Sequence, residues 1–228
     1  MHSGFRLLAA SAVLFVLPHS AHSYQTAEAP KDNLCCGVVS PEGQRLDAAI
    51  DSMHVESFWQ PEVHIDWETG RQDRPATYTG PDRATHCSSF TAALGKKLAV
   101  YLLRPPEHPQ QLLASAQAEW FHSKEAAKDG WTSVADARQA QTLANQGELV
   151  MIVFESPDPH RPGHIAVVRP YAKTSADLDV DGPQTAQAGA KNFSSGVARV
   201  SFAKHQGAWP NGVRYFAHTI NWSAVSAQ

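Results

Sequence analysis

Cys87 lies in the stretch THCSSF, residues 85–90, at the start of a segment whose apolar residues recur with a helical period. A cysteine attacks a carbonyl carbon as its thiolate, and two features of this position can lower a thiol pKa. The first turn of a helix offers a partial positive charge and unpaired N–H groups, and a histidine brought alongside can accept the thiol proton. The stretch therefore indicates a nucleophilic cysteine. A disulfide half and an inert buried thiol are the alternatives.

His164 is the best candidate for the base that accepts this proton. It follows a Pro-Gly break in HRPGHIAVVRP and opens a predicted strand, so its ring can face the start of the helix. The alternative is a structural histidine at a strand end. His160 lies four residues earlier, but Pro162 and Gly163 interrupt any helix between the two histidines, and no carboxylate follows as in H-E-x-x-H. No metal site is therefore expected here.

Two short motifs resemble those of the NlpC-type cell-wall cysteine peptidases and the related CHAP amidases. HCSSF is similar to the DCSGF box around the NlpC nucleophile, and GELVMIVFES…PGHIAVVRP looks like the strand pair GDLV…GHVGIY that supplies the base. The order of cysteine, strand and histidine strand is the papain-like order. The similarity covers roughly residues 80–190. His86 replaces the aspartate of the box, Ser89 replaces its glycine, and no second histidine stands where the NlpC group often has one.

A polar third group normally orients the base histidine in such sites. The resemblance implies Gln187, which lies 23 residues after the histidine, near where CHAP-like relatives carry Glu, Gln or Asn on the next strand. Asn192 is its competitor. For the oxyanion, the resemblance implies the backbone N–H of Cys87 together with a nearby side chain, either Tyr78 or His86.

The secondary structure predicted around these residues changes along the chain, from helices in the middle to strands in the C-terminal part. Apolar residues three and four apart predict helices from Thr85 towards the prolines at 105 and 106, over 113–120, and over 134–143 with a Ser133 cap. Short β-branched stretches predict strands at 148–155, 164–170, 184–189, 197–203 and 213–219. Residues 35–84 predict loops with one or two short strands. Helices followed by strands indicate an α+β domain, with helices packed on one side of an antiparallel sheet.

The N-terminal residues predict a secretory signal peptide. Arg6 is the only charged side chain before residue 24, and the apolar run Leu7–Leu17 follows it. A helix of that length rises about 16 Å, which falls short of a bilayer core of roughly 30 Å. A membrane anchor is therefore the weaker interpretation of this segment.

Export predicts an oxidising compartment, in which the odd number of cysteines leaves one of Cys35, Cys36 and Cys87 unpaired in a monomer. A bond between Cys35 and Cys36 is the less expected pairing, because adjacent side chains rarely meet disulfide geometry. The net charge of −3 and the lack of a basic run give no electrostatic reason to expect nucleic acid or a membrane surface as a partner. No cofactor is expected.

The sequence thus predicts a signal peptide over 1–23, an irregular N-terminal extension over 24–75, and a papain-like catalytic domain of NlpC/CHAP type over 76–228. The expected protein is a periplasmic or secreted cysteine hydrolase without membrane insertion after signal cleavage, in which Cys87 attacks an amide carbonyl, His164 moves the proton and Gln187 holds the ring. The resemblance implies peptidoglycan stem peptides as the substrate. An acyltransferase or transpeptidase on the same fold, and a non-catalytic exported binding module with Cys87 in a disulfide, are the alternatives.

Overall fold

A computed structural model describes Met1 and residues 34–225. Its strands are β1 (Thr132–Val134), β2 (Leu149–Phe154), β3 (His164–Val168), β4 (Gln184–Gln187), β5 (Phe193–Val197) and β6 (Arg214–His218). They form one open antiparallel sheet in the order β1-β6-β2-β3-β4-β5. The central strands β2 and β3 are buried along their whole length. Such burial requires cover on both faces of the sheet.

Eight helices lie in the described part of the chain. They are α1 (Pro41–Asp51), α2 (Cys87–Lys97), α3 (Leu113–Phe121), α4 (Lys124–Lys128), α5 (Ala137–Asn145), α6 (Ser175–Asp181), α7 (Ala198–Ser201) and α8 (Trp222–Val225). The α+β class expected from the sequence is confirmed. None of the described helices combines the length and the apolar character that crossing a membrane requires.

The two faces of the sheet carry separate hydrophobic cores. Ile165 and Val167 of β3 pack into a cluster with side chains of α1, α2 and α3, whereas Ala166 and Val168 pack into a second cluster with α5 and α7. This alternation is the two-residue period of a strand covered on both sides. The prediction that helices pack on one side only is therefore wrong, because the small residues of α5 fit closely against the other face.

Helix α2 forms as its apolar spacing predicts. Phe90, Leu94 and Leu98 lie four residues apart and are fully buried, so one stripe of the helix faces the sheet. The helix begins at Cys87, and no side chain caps its N-terminus. The first-turn N–H groups of α2 are therefore left to solvent, to the Cys87 sulfur, or to a bound group.

Helix α1 was not expected in a stretch predicted to be irregular. Ser40 accepts a hydrogen bond from the Gly43 backbone N–H at 3.0 Å, and Pro41 occupies the first turn. Leu46 and Ile50, four residues apart, are fully buried in the same core as α2. A cap, a proline at the first turn and an apolar i, i+4 pair mark a helix start, and these signals were present in the sequence.

Two other predicted elements need correction. Residues 197–203 do not form a strand: β5 ends at Val197, and Ala198 and Phe202 are buried four residues apart on one face of the short α7 and its end. Ser133 does not cap a helix, because it lies in β1. Asp136 caps α5 instead, accepting a hydrogen bond from the Gln139 N–H at 2.8 Å.

Arg169, which directly follows β3, connects α1 to the sheet through ion pairs and a hydrogen bond. Its side chain forms ion pairs with Asp47 and Asp51 of α1, each at 2.6 Å, and donates to the Ser194 carbonyl at 2.7 Å. Residues from 34 onwards belong to one compact unit. The predicted boundary at residue 76 stays a prediction, but α1 packs in the core that the later helices share. The predicted signal peptide lies outside the described residues.

Candidate active site

Cys87 is the first residue of α2 and lies at the edge of a cleft. Its side chain is 4 % exposed, yet it contributes to the wall of a cleft of about 630 Å³. Ser88, Gln110 and Leu112 line the same cleft, and Pro162 borders it beside β3. A small molecule or an extended chain in this cleft can therefore reach the thiol.

The cysteine pairing differs from the expectation. Cys35 and Cys36 are joined in a vicinal disulfide, and Cys87 is a free thiol. The alternative in which Cys87 is half of a disulfide is therefore wrong in this structure, and the adjacent cysteines form the bond that was considered the less expected one. A free thiol at this position keeps the nucleophile interpretation open.

The Cys87 thiol is held in its neutral form. Burial raises its pKa, and the backbone N–H groups of Ile165, Ser88 and Cys87 itself act in the opposite direction without overcoming burial. These N–H groups come from the helix start and from β3, so the sulfur lies between the two elements. A thiolate formed during a reaction would find donors already in place around it.

His164 and Gln187 are brought together from adjacent strands. The ring Nε2 of His164 lies 2.8 Å from Gln187 Oε1, and Gln187 Nε2 donates to the Lys191 carbonyl at 2.9 Å. Because a carbonyl only accepts, the Lys191 contact fixes which end of the amide faces the ring. Gln187 therefore presents its oxygen, the His164 proton resides on Nε2, and Nδ1 keeps the free lone pair. The geometry sets the tautomer that a base needs.

Two aromatic rings enclose the imidazole of His164. Phe202 meets it edge-on at a centroid distance of 5.0 Å, and His205 stacks on it at 4.8 Å with the planes 14° apart. Burial lowers the pKa of His164 to about 4, and the charge of His205 contributes a smaller part of this decrease. The hydrogen bond to Gln187 acts in the opposite direction but is weaker. The imidazole is thus neutral at physiological pH, as a proton acceptor must be.

The thiol and the imidazole both lie beside the start of β3 but on opposite faces of the sheet, so the expectation that the His164 ring faces the start of α2 is wrong. The Cys87 sulfur interacts with the backbone N–H of Ile165, the residue directly after His164. The Ile165 side chain shares the core of Cys87, whereas the His164 ring contacts Phe202 of the other core. Neither side chain is an interaction partner of the other in the described residues. The structure thus joins His164 to Gln187 directly, and Cys87 to their strand through its backbone.

The depressed pKa of His164 predicts a loss of stability in mild acid. An unfolded chain binds a proton at this histidine near pH 6.5, whereas the folded chain does so only near pH 4. Between these values the unfolded state binds more protons, so the free energy of unfolding falls as the pH falls. We expect a loss on the order of 3 kcal/mol from pH 7 to pH 4 from this residue. Urea unfolding across this range measures it.

The control for this prediction is His164→Gln, which removes the titrating ring. The variant is expected to be less stable than the wild type at pH 7 but to lose less stability on acidification. His160→Gln, on the exposed loop before β3, should leave the wild-type slope unchanged. A His164→Gln slope as steep as the wild-type slope would show that other groups cause the acid sensitivity.

Of the two side chains considered for the oxyanion, His86 is used elsewhere. Its Nε2 donates to the Val63 carbonyl at 2.9 Å, and burial lowers its pKa, so the ring is neutral and its Nδ1 carries no proton to donate. Tyr78 is half-buried, and its hydroxyl lies against Gly80, which lines the cleft of Cys87. Tyr78 does not itself line the cleft, but of the two it is the one whose side chain has no hydrogen bond to another described residue.

Asn192, the competitor of Gln187, has a structural role. Its side-chain amide donates to the carbonyls of Val55, Phe58 and Trp59 at 2.9–3.1 Å, and its oxygen accepts from the Gly189 N–H at 3.0 Å. Both N–H donors of the amide and its oxygen are thus engaged by the backbone. Gln187 is thus the one of the two that contacts the histidine, as the resemblance implied.

Sequence reasoning missed several residues around the site. Phe202 and His205 enclose the imidazole, Ser115 of α3 accepts from the Gly163 N–H at 3.0 Å just before His164, and Gln110 accepts from Ser89 at 3.1 Å in the cleft wall. No local pattern marks them, because each comes close only through the packing of separate elements. His205 lies 41 residues after His164 in the sequence, so no local pattern relates the two rings.

Comparison with known proteins adds no relatives. No protein-family model matches the chain, and no curated protein matches it.

Proposed function

We propose that this protein is an exported cysteine hydrolase, papain-like and of NlpC/CHAP type, that cleaves an amide bond in peptidoglycan stem peptides. The observation that carries the proposal is the pair of His164 and Gln187. The Gln187 amide, fixed by the Lys191 carbonyl, holds the neutral, buried imidazole of His164 with its Nδ1 free. The free thiol of Cys87, at the start of α2, contacts the backbone of Ile165, the residue after His164.

In the proposed first step, the substrate carbonyl enters the cleft next to the thiol. The Cys87 sulfur attacks the carbonyl carbon while its proton passes to His164 Nδ1, and a tetrahedral oxyanion forms. Because both groups are neutral at rest, proton transfer accompanies the attack rather than preceding it. Because the His164 ring lies on the Phe202 side of the sheet at rest, this step requires the ring to leave that contact and reach the sulfur when substrate binds.

The oxyanion then collapses and the C–N bond breaks. The proton on Nδ1 goes to the leaving nitrogen, and the acyl group stays on Cys87 as a thioester. Water attacks the thioester carbonyl, gives a proton to Nδ1, and the thiol leaves with that proton as the acid product departs. The Cys87 N–H at the uncapped start of α2 and the Tyr78 hydroxyl are the proposed donors to the oxyanion.

The clefts around the site suit a substrate that continues on both sides of the scissile bond. Pro162 lines the cleft of Cys87 and also a second cleft of about 710 Å³, which His205 lines. The base donates its proton to the leaving amine, so the leaving side of the substrate belongs near the His164–His205 stack. The acyl side then belongs in the cleft of Cys87.

Incubation of the purified mature protein with defined stem peptides, followed by mass spectrometry of the products, tests the proposal. We expect a new carboxyl terminus on the acyl fragment and a transient mass addition on Cys87. Addition of a free amine separates hydrolysis from acyl transfer, because a transferase yields the new amide as the main product. Stem peptides that remain intact, with no acyl group on Cys87, would reject the proposal.

Gln187 and Asn192 are expected to give opposite phenotypes. Gln187→Ala frees the ring of His164 and should lower kcat about 10- to 100-fold, by analogy with other residues that orient a catalytic histidine. Asn192→Ala leaves three carbonyls without their donor and should lower the free energy of unfolding by about 2–3 kcal/mol. Activity per folded molecule and urea unfolding distinguish the two variants. Equal loss of activity in both would assign Gln187 a structural role only.

A further inference from the structure

A third cleft lies on the face of the sheet opposite α2. It has a volume of about 600 Å³ and is enclosed by the end of β1, the start of α5, helix α6, the segment around Trp209 and strand β6. None of the residues discussed for catalysis lines it. Whatever this cleft binds is therefore independent of whether Cys87 is a nucleophile.

Tyr215 lines this cleft, and its hydroxyl has no hydrogen-bond partner among the described residues. Its side chain is buried among the second core, with 7 % of the residue exposed, and it lines the cleft. The hydroxyl makes no hydrogen bond to any residue that the structure describes. The hydroxyl is accessible from the cleft and is therefore available to a bound group.

Two more groups beside Tyr215 offer hydrogen bonds in the same cleft. Asp136 lies close enough for its charge to raise the pKa of Tyr215 beyond the effect of burial, and only its Oδ1 is used, as the cap of α5. Trp209 is half-buried with its six-membered ring against Gly182, and its indole N–H is unpaired within residues 34–225. The cleft thus combines an aromatic surface with a hydroxyl, a carboxylate oxygen and an N–H donor.

The charges around the cleft indicate an uncharged ligand. Asp136 and Asp179 are matched by Arg138 and Arg214 among the lining residues. Arg214 donates to the Asn211 and Val213 carbonyls, and Arg138 donates to the Cys35 carbonyl and to Ser175. The protein already engages both guanidinium groups, and the two carboxylates are balanced by them. We therefore expect the cleft to favour neither an anion nor a cation as ligand.

We propose that this cleft binds a neutral saccharide, with the Tyr215 hydroxyl and the Asp136 carboxylate contacting neighbouring sugar hydroxyls and Trp209 packing against the sugar ring. A sugar hydroxyl both donates and accepts, so adjacent hydroxyls satisfy a tyrosine and a carboxylate at the same time. The apolar face of a pyranose ring matches an indole surface. A site of a few polar groups around an apolar wall is the usual form of a small-ligand pocket.

Titration of the full mature protein with an N-acetylglucosamine tetramer, with cellotetraose, and with a capped neutral peptide tests the inference by ¹H–¹⁵N NMR. We expect at least one saccharide to shift the Trp209 indole resonance saturably, while the peptide leaves it unmoved. The Trp209→Phe variant assigns that resonance among the six tryptophans. A peptide that shifts it while the sugars do not would overturn the inference, as would no saturable shift by either sugar.

Tyr215→Phe removes the hydroxyl that lines this cleft and leaves the ring in the core. We expect about tenfold weaker saccharide binding, the size of one lost hydrogen bond, with an unchanged melting temperature because no protein contact is lost. Tyr171→Phe, at an exposed tyrosine that does not line the cleft, is the matched control and should bind as the wild type does. Unchanged saccharide affinity in Tyr215→Phe would refute the proposed role of the hydroxyl.

Discussion

Replacement of Cys87 by alanine is expected to reduce hydrolysis of a stem-peptide amide by about 10⁴-fold or more, to the background rate. The variant lacks the proposed acyl carrier, and the loss of a nucleophile is of this size in other hydrolases that form covalent intermediates. The fold should tolerate the change, with a loss of about 1 kcal/mol or less, because alanine fills most of the same buried space. Measurement of kcat/KM together with urea unfolding separates these effects.

The matched control for Cys87→Ala is the double variant Cys35→Ala/Cys36→Ala. It removes the two sulfurs of the vicinal disulfide and keeps the thiol at 87, so activity per folded molecule should equal that of the wild type. Alkylation with iodoacetamide should modify one site in the control and none in Cys87→Ala. Hydrolysis by Cys87→Ala at a rate near that of the wild type would rule out the thiol as nucleophile.

Replacement of His164 by glutamine is expected to lower kcat/KM by about 10³-fold, because proton transfer by a positioned base contributes typically 10²–10⁴-fold. In the wild type, the acid limb of kcat/KM should lie near pH 4, the pKa of the buried ring. Activity is then full above this pH and falls below it, as protonation removes the Nδ1 lone pair. Profiles of kcat/KM against pH at constant ionic strength measure the limb.

His205→Leu tests the origin of that limb. The charge of His205 helps to lower the pKa of His164, and leucine keeps an apolar cover over the ring without the charge. The acid limb should therefore move to higher pH, by less than the whole difference from 6.5, since burial is the larger cause. His122→Leu, on a histidine that contacts Phe216 rather than the site, should leave the limb in place. A wild-type limb near pH 6.5 would contradict the buried environment of His164.

The parts of the site that the sequence predicted depend on local signals. An apolar stripe through Phe90, Leu94 and Leu98 places Cys87 at a helix start whatever the rest of the chain does, and the Pro-Gly break before His164 marks a strand start. The contact of Gln187 with His164 came from the family resemblance rather than from a local pattern. The structure agrees on this contact because antiparallel neighbours β3 and β4 bring their ends together.

The parts that the sequence did not predict depend on packing between distant segments. The stacking of His205 on His164 needs a helix and a turn after β5, where a strand was predicted over 197–203 from its valines. Ala198 and Phe202 have helical spacing in the same stretch, but with so few residues the two periods compete, and burial against the sheet decides. The separation of the Cys87 sulfur from the His164 ring likewise depends on which face of β3 packs against α2.

The hairpin between β4 and β5 links the hydrogen bond that sets the His164 tautomer to residues 55–59, which precede Cys87 in the chain. The Lys191 carbonyl accepts a hydrogen bond from the Gln187 amide. Asn192, the next residue, donates to three carbonyls between Val55 and Trp59. A recombinant fragment that starts at the predicted boundary, residue 76, would keep every candidate catalytic side chain and lose that anchorage. We expect such a fragment to lack the proposed activity, because the His164 imidazole is no longer held in place. A shortened protein that keeps this activity therefore has to retain the segment that begins at α1.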